Sequence, residues 1–403
     1  SLTPDVYTVR ELFKQVKAVN EKILTVAGGH HATVSPSDFF TEYVDLIVKG
    51  EGTQTFREII ETYNKSESFE GVKGIFFRYD GSFTQPFPKN CLSIIQGRAG
   101  FTPTPERTYL QDLDLLPFPD RKLTEKYRNN YFRASWRPVV SVMSSRGCPH
   151  RCKFCSVWVH EKGKYKTRSA ENIVKELNEI TEQYISFCDD NFLQDVNRAK
   201  KLYSLIKTSG MRKKFKLIGR SDVIIRYPDI IEKWREIGTE LVLIGIESFR
   251  DEELRSFNKR NSVRNNEEAI RILHQNGITV IAQFIIGPDY LENDFEKLGD
   301  YVEKMELKHP IFSVLTPLPG TELYKERYND LVTHNYELYD FVHPVLPTKL
   351  PVDKFCRCLA NLYKRVYRSS DEKDVVSNKI LEPLYESIVN AYKILQIDKH
   401  KNN

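Results

Sequence analysis

The sequence contains no long apolar run. Nowhere do about 18 apolar residues follow one another, so no helix is predicted to span a membrane. There is also little excess charge, with 60 Lys and Arg against 55 Asp and Glu and a net charge of +5. Because nucleic-acid-binding domains usually carry a concentrated basic face, this balance does not indicate a nucleic-acid partner. Seven cysteines in 403 residues, with no signal peptide recognised, do not suggest a disulfide framework.

Three of the seven cysteines share one short segment. Cys148, Cys152 and Cys155 follow the spacing C-x3-C-x2-C after an apolar stretch. Iron–sulfur clusters are ordinarily held by four cysteine thiolates. Three thiolates would leave one iron of a [4Fe–4S] cluster without a protein ligand, and chemistry can occur at such an open position. The spacing therefore predicts a cluster with a reactive iron.

Two other interpretations of this segment stay open. A structural zinc ion would need a fourth ligand, for which His150 and His160 are close enough in sequence. Zinc sites usually come as paired knuckles, however, and the sequence has no second C-x2-C. The three cysteines could instead be reduced core thiols, which is the default interpretation of the other four.

Together with Phe154, the cysteine segment resembles the radical S-adenosylmethionine (SAM) superfamily. The resemblance implies that the amino and carboxylate groups of SAM chelate the fourth iron, and that SAM is cleaved reductively to a 5′-deoxyadenosyl radical. It also implies a reducing electron donor such as flavodoxin or ferredoxin. Free thiols and an oxygen-sensitive cluster predict a reducing, anaerobic cytoplasm.

From residue 137 the sequence alternates between apolar strands and helical segments. Six strands are predicted, at 139–143, 184–187, 215–219, 241–248, 279–286 and 311–315. Six strand–helix units indicate an open, partial relative of the (β/α)8 barrel, here a partial (β/α)6 barrel. In such folds the active residues lie where the strands end.

Several of these strand ends resemble radical SAM features. The resemblance implies that Glu247 and Ser248, in a Gly-x-Glu-Ser motif, lie against the ribose of SAM. Arg220 is placed to pair with the SAM carboxylate, a geometry that suits arginine. Ile285 and Gly287 match the strand-five pattern that contacts adenine.

Two acidic residues in this region have competing interpretations. Glu247 is costly to bury in an apolar strand without a partner, which supports a role in ligand binding. A salt bridge inside the barrel is its alternative. Asp189 is predicted to bind ribose or substrate, and its alternative is to cap the following helix.

The N-terminal region has two short apolar strands, at 23–27 and 44–48, that end in glycine. Glycine lets a backbone pass close to a ligand, and two such ends on one parallel sheet form a crevice for a cofactor. The pair resembles the cobalamin-binding domain that precedes many radical SAM domains. The resemblance implies cobalamin contacts by Gly28, Gly29, His31, Thr33, Gly50, Glu51 and Gly52. Because the upstream cobalt-ligand motif of that family is absent, we expect a truncated Rossmann-like domain. Two ligand-free strand–helix turns are the alternative.

The expected architecture is α/β in four consecutive parts. These are a truncated cobalamin-binding domain (1–67), a proline-rich linker (68–136), the partial radical SAM barrel (137–325) and a small helical C-terminal region (326–403). The linker should contain a hairpin at 74–83. Amphipathic helices are predicted at 352–368 and 377–395. The basic side of the first is interpreted as a solvated face, with a membrane-surface helix as the alternative.

The resemblance implies an enzyme that methylates an unactivated carbon of a small-molecule substrate. One SAM would become the radical, and methylcobalamin, recharged by a second SAM, would deliver the methyl group, as in class B radical SAM methyltransferases. The segment around His343 resembles hopanoid C-3 methylases, which favours a lipid or isoprenoid-like substrate. The alternatives are a radical cyclase, another cobalamin radical SAM reaction, or a non-catalytic iron–sulfur module that binds a partner protein.

Overall fold

The chain forms two compact units. A computed structural model describes residues 2–78, 100–133, 135–368 and 378–402. The units comprise, first, Ser1–Gln111, Pro317–Tyr328 and His334–Asp340 and, second, Asp112–Thr316, Asn329–Thr333 and Phe341–Asn403. Both units are discontinuous in sequence, whereas the four predicted domains are consecutive ranges, and those ranges stay a prediction.

The first unit is built on a four-stranded sheet in the order β1-β2-β3-β4. Its strands are β1 (Val26–Ala27), β2 (Leu46–Val48), β3 (Ile75–Arg78) and β4 (Phe101–Pro103). β1 and β2 run parallel, and β3 is antiparallel to both β2 and β4. β1 is shorter than predicted because the backbone N–H and the hydroxyl of Thr25 donate to the Asp45 carboxylate, at 2.8 and 3.0 Å.

Three helices accompany this sheet, namely α1 (Val6–Val19), α2 (His30–Val34) and α3 (Gly52–Asn64). α1 contributes Val6, Val9 and Phe13 to the core, at the spacing expected of an amphipathic helix. The predicted hairpin at 74–83 lies partly outside the described residues. Within them, Ile75 and Phe77 are buried in alternation on β3.

The second unit contains a six-stranded sheet in which every neighbouring pair is parallel. The strand order is β12-β11-β10-β9-β8-β5, and β6 and β7 form a separate antiparallel pair. The strands are β5 (Val139–Val142), β6 (Ser145–Arg146), β7 (Lys166–Thr167), β8 (Tyr184–Phe187), β9 (Lys214–Gly219), β10 (Thr239–Glu247), β11 (Thr279–Ile286) and β12 (His309–Val314). The six predicted strands are all present, with ends within two residues of those expected. The partial (β/α)6 barrel is confirmed.

Helices cover one face of this sheet. The helices of this region are α4 (Ser156–His160), α5 (Ala170–Glu179), α6 (Val196–Ser209), α7 (Ser221–Arg226), α8 (Pro228–Glu236), α9 (Asp251–Ser256), α10 (Val263–Gln275) and α11 (Glu292–Lys304), and all except α4 and α9 contribute to the core shared with the sheet. Side chains alternate along a strand, so Val242, Ile244 and Ile246 of β10 join the core against these helices. Leu243 and Glu247 lie on the opposite face, which we call the barrel interior.

The remaining helices follow the last strand. α12 (Glu322–Arg327) belongs to the first unit, and α13 (Val352–Arg368) and α14 (Asn378–Asn402) belong to the second. Short 3-10 helices occupy Thr3–Asp5, Pro36–Phe39, Phe69–Gly71, Leu113–Leu115, Arg121–Asn130, Phe192–Gln194, Tyr328–Asp330 and Tyr336–Leu338. α13 buries Phe355 and Leu359, while its Arg365 contacts Asp300 and Glu303. None of the helices in the described ranges is long and apolar enough to cross a membrane.

Candidate active site

The cysteine loop follows β5, and two carboxylates hold its first turn. Asp189 is 1% exposed and accepts hydrogen bonds from the Ser144 N–H and the Ser145 hydroxyl, both at 2.7 Å. Asp190 accepts one from the Gly147 N–H at 2.8 Å. Neither carboxylate caps the following helix, which was the alternative raised by the sequence. Asp189 therefore positions the loop, and its contact with ribose or substrate stays a prediction.

The middle of the cysteine loop is anchored to the segment after α9. The Lys153 N–H donates to the Phe257 carbonyl at 3.0 Å, and the Asn258 side-chain amide donates to the Arg151 carbonyl at 2.7 Å. The Phe154 ring meets the Phe257 ring edge-on, with centroids 5.6 Å apart. Phe154 thus fixes the loop against the residues that follow β10.

The three cysteines lie partly exposed on this loop. The Cys155 N–H donates to the Cys152 carbonyl at 3.1 Å, and Cys155 immediately precedes α4. Burial, and to a smaller extent the neighbouring cysteines, raise the pKa of Cys155 to about 11. Burial likewise raises the pKa of Cys152. Thiols of this kind stay protonated at neutral pH unless a cation or metal stabilises the thiolate.

The donor set fits an iron–sulfur cluster better than zinc. In the part of the chain that the structure describes, no three His, Cys, Asp or Glu side chains converge as ligands of one metal ion. His160 instead lies 3.2 Å from Glu161, and burial followed by the charge of Arg220 lowers the pKa of His150. Zinc needs four ligands around one point. In a [4Fe–4S] cluster each cysteine binds a different iron, so the thiols need not converge.

A buried ion pair stands at the end of β10. Glu247 is 7% exposed and has a left-handed φ of 65°. The Nζ of Lys259 lies 2.5 Å from its Oε1. A Cβ at Gly245 would lie 2.2 Å from that oxygen and 2.8 Å from Nζ, so a side chain at position 245 would displace the pair. The salt bridge that the sequence offered as an alternative is present, and the contact of Glu247 with SAM stays a prediction.

Lys259 is a central residue that the sequence analysis missed. It is 8% exposed, and its charge favours the thiolate of Cys152, which burial disfavours. It follows α9, 12 residues after its partner Glu247. Asn258 and Arg260 on either side have left-handed φ values of 52° and 51°. A lysine in a polar loop belongs to no helix or strand pattern, so its burial could not be predicted from the sequence. The only feature of the sequence that marks this loop is the run of polar residues around Asn258.

Arg220 directly follows β9, the parallel neighbour of β10. Its Nη2 donates to the Lys259 carbonyl and its Nε to Asp222, both at 3.0 Å. Nη1 makes no hydrogen bond to any residue that the structure describes. Arg220 and Glu247 therefore lie at adjacent strand ends, and a guanidinium with an edge available suits the predicted carboxylate contact.

Ser248, Ile285 and Gly287 lie near the same strand ends but have different neighbours. The Ser248 hydroxyl donates to Glu253. Ile285 is 8% exposed and stands apart from the core shared with the helices, on the barrel interior. A Cβ at Gly287 would lie 2.5 Å from the Asp289 carboxylate, which explains the glycine. The contacts of all three with SAM stay predictions.

In the first unit, both glycine-bearing strand ends lie at one edge of the sheet, because β1 and β2 are parallel neighbours. Thr33 links them, since its hydroxyl donates to the Gly29 carbonyl at 2.8 Å and accepts from the Gly50 N–H at 3.0 Å. A Cβ at Gly28 would meet only Val48, at an ordinary 3.6 Å. A Cβ at Gly50 would instead lie 2.9 Å from the Tyr109 ring, so that side chain fills the space beside Gly50. The cobalamin contacts of Gly28, Gly29, Thr33 and Gly50 stay predictions.

The other predicted cobalamin residues have protein partners. His31 is fully buried, and its Nε2 lies 2.8 Å from Asp38. Glu51 accepts a hydrogen bond from the Leu110 N–H at 2.7 Å, and Gly52 begins α3. These contacts hold the first unit together, and a role in binding cobalamin stays a prediction for all three residues.

Two protein-family models match the chain. One, described as the Radical SAM superfamily, matches residues 142–302, and the other, a B12 binding domain, matches residues 1–60. A hopanoid C-3 methylase of Methylococcus capsulatus is 31% identical over 364 residues, which cover 89% of this chain and 66% of that protein. The chain belongs to the B12-binding radical SAM superfamily. Its cofactors are accordingly a [4Fe–4S] cluster, SAM and cobalamin.

Further comparisons agree with this membership. An anaerobic magnesium-protoporphyrin IX monomethyl ester cyclase of Cereibacter sphaeroides is 27% identical, over 91% of this chain and 59% of that protein. The structure of the radical SAM methyltransferase TsrM from Kitasatospora setae, with cobalamin and a [4Fe–4S] cluster bound, has a TM-score of 0.65 over 99% of this chain and 85% of that chain. At 14% identity, TsrM shows a shared fold. The chain spans 66% and 59% of the two curated relatives.

Proposed function

We propose that this chain is a cobalamin-dependent methyltransferase that methylates an unactivated carbon of a small molecule. The observation that carries the proposal is the grouping of three cysteines with Lys259 and Arg220 in a chain that also matches a B12 binding domain. An electron-transfer module has no need of two buried cations and a carboxylate beside its cluster. The carboxylate of bound SAM, in contrast, does need a cation beside it.

The residues around the cluster contact different groups of SAM in this proposal. Arg220 offers its guanidinium edge to the SAM carboxylate, and Lys259 balances the charge of Glu247, which faces the ribose. The contacts of Asp189 and Phe154 hold the cysteine loop beside these strand ends. When bound, SAM and the cluster supply a carbon radical, and cobalamin supplies the methyl group.

The barrel interior favours a substrate with an apolar body. Ile218, Leu243 and Ile281 are register partners on three adjacent strands. Ile311 of the fourth strand lies one step further along, as the register partner of Gln283. These side chains lie on the face opposite the helices and would exclude water from a reacting carbon. We therefore propose a lipid-like or isoprenoid-like carbon skeleton, reacting in a reducing, anaerobic cytoplasm with flavodoxin or ferredoxin as the electron donor.

The proposal is tested by the fate of SAM. Protein reconstituted anaerobically with iron, sulfide and hydroxocobalamin is incubated with a reductant, SAM and an extract of candidate substrates. Methyl transfer yields both 5′-deoxyadenosine and S-adenosylhomocysteine, and Cys152→Ala yields no 5′-deoxyadenosine. A cyclase would yield 5′-deoxyadenosine without S-adenosylhomocysteine, and a non-catalytic module would yield neither. Either result would overturn the assignment to methyl transfer.

A further inference from the structure

A buried asparagine stands at a core position of α10. Asn266 is fully buried, and it lies on the helix face that carries Ala269, Ile270 and Leu273, all of which join the core. An apolar side chain would fill such a position at no cost, whereas a polar one is costly to bury unless it is hydrogen-bonded. The packing of α10 therefore does not account for an asparagine, and its hydrogen bonds must be considered.

The side chain of Asn266 joins three separate segments of the second unit. The Ser221 hydroxyl donates to its Oδ1 at 2.6 Å, and the side-chain amide of Asn261 donates to the same oxygen at 2.7 Å. Its own Nδ2 donates to the Ile246 carbonyl at 3.0 Å. These partners belong to the start of α7, to the loop between α9 and α10, and to the end of β10. One amide thus fixes the distances between all three segments.

Each of these partners adjoins a charged residue of the candidate SAM site. Arg220 directly precedes the serine, Glu247 directly follows the isoleucine, and Lys259 lies two positions before the loop asparagine. The Arg220 guanidinium also donates to the Lys259 carbonyl at 3.0 Å, so the segments meet on the site side as well. A shift of any partner of Asn266 would therefore displace the charged residue beside it.

The contact with Ile246 acts at an irregular point of β10. The register with β11 shifts between Gly245 and Glu247, so Ile246 lies in a β-bulge. Its carbonyl accepts from the Ser248 N–H at 2.9 Å in addition to the Asn266 amide. Glu247 has a left-handed φ, which a residue other than glycine keeps only where the surrounding contacts enforce it. Asn266 supplies one of these contacts.

We propose that Asn266 is a positioning residue for SAM. By joining the three segments, it holds the Arg220 guanidinium in place for the SAM carboxylate and Glu247 in place for the ribose. The inference rests on the proposed function, because it explains how the SAM contacts named there keep their geometry. Asn266 acts through its partners and does not contact SAM. At metal sites, residues that orient the ligating side chains contribute about tenfold to hundredfold to affinity, and we expect an effect of that order here.

The affinity for SAM, measured by calorimetry, tests this role. Anaerobically reconstituted protein is titrated with SAM without reductant or substrate, so that no turnover occurs. Asn266→Ala should weaken SAM binding at least about tenfold. Ser221→Ala, which removes one hydrogen bond to Asn266, should weaken it about threefold. The control is Asn276→Ala, directly after α10, where the side-chain amide donates to the Ile272 carbonyl at 2.8 Å and SAM affinity should not change.

A double-mutant cycle separates positioning from a general loss of structure. Because Asn266 acts partly through Arg220, adding Asn266→Ala to Arg220→Met should weaken SAM binding less than it does in wild type, by a factor of at least about three. Equal weakening in both backgrounds, or an unchanged SAM affinity in Asn266→Ala, would overturn the inference. Should Asn266→Ala fail to fold, Ser221→Ala takes its place in the same cycle.

This result and the test of the proposed function can fail independently. SAM affinity is measured without a substrate, whereas methyl transfer is measured by the formation of S-adenosylhomocysteine. An unchanged affinity in Asn266→Ala would remove the positioning role and leave methyl transfer standing. A tenfold weaker affinity in a protein that forms no S-adenosylhomocysteine would support the positioning role and remove methyl transfer.

Discussion

Replacing Lys259 by methionine removes the positive member of its buried pair with Glu247 and keeps a side chain of similar length. The two side chains are 9% and 10% exposed, so Glu247 would be left shielded from water and unpaired. Removing one partner of a buried pair costs roughly 3–5 kcal/mol, and we expect about 3 kcal/mol here because some exposure remains. For a unit of this size each kcal/mol lowers the melting temperature by about 2–4 °C, so Lys259→Met should melt about 6–12 °C below wild type.

The measurement is anaerobic thermal unfolding of the whole protein followed by circular dichroism, with two controls. Lys214→Met breaks the exposed pair with Glu240, whose side chains are 37% and 31% exposed, and should cost at most about 1 kcal/mol. Adding Glu247→Gln to Lys259→Met removes the unpaired buried charge and should recover most of the lost stability. A Lys259→Met protein that melts within about 1 °C of wild type, or that gains nothing from Glu247→Gln, would refute this reasoning.

Three further changes follow from the same contacts. By iron and sulfide analysis, Cys152→Ala should have lost the cluster, whereas the control Cys358→Ala should retain about four irons per chain. A full iron content in Cys152→Ala would contradict the three proposed cluster ligands. Gly245→Ala puts a Cβ 2.2 Å from the Glu247 oxygen and should weaken SAM binding at least about tenfold, as measured by calorimetry. In the control Gly71→Ala the new Cβ has no atom within 4 Å, so SAM affinity should not change. Equal affinities of the two variants would count against the site. For Glu161, burial opposes ionisation, but hydrogen bonds from a histidine and a lysine outweigh it and lower the pKa to about 2. Its contribution, on the order of 2 kcal/mol, is present above about pH 4.5 and is lost as the pH falls toward 2. The difference between the urea midpoints of wild type and Glu161→Gln should therefore shrink steadily as the pH is lowered from 5 toward 2, and a constant difference would disprove it.

The barrel strands could be predicted because parallel strands covered by helices are apolar along most of their length. The segments that became β8 and β11 have the predicted bounds, 184–187 and 279–286. The cysteine spacing and the Gly-x-Glu-Ser motif are likewise local patterns, which a single sequence displays. β1 was predicted too long, since the sequence does not show that Thr25 binds the Asp45 side chain.

The partners of the site residues could not be predicted, because they depend on contacts distant in sequence. Lys259 reaches Glu247 only through a turn with left-handed backbone on both sides. Asp189 hydrogen-bonds residues 44 and 45 positions away, which no local motif encodes.

The central claim is that three cysteines leave one iron open and that SAM occupies it. Electron paramagnetic resonance of the reduced, reconstituted protein tests this most directly, with SAM carrying ¹⁷O in its carboxylate. The account predicts that SAM changes the cluster signal and that the labelled carboxylate adds hyperfine broadening, because the carboxylate binds iron. The Arg220→Met variant should require more SAM for the same change. A cluster signal that stays unchanged at saturating SAM would contradict the account.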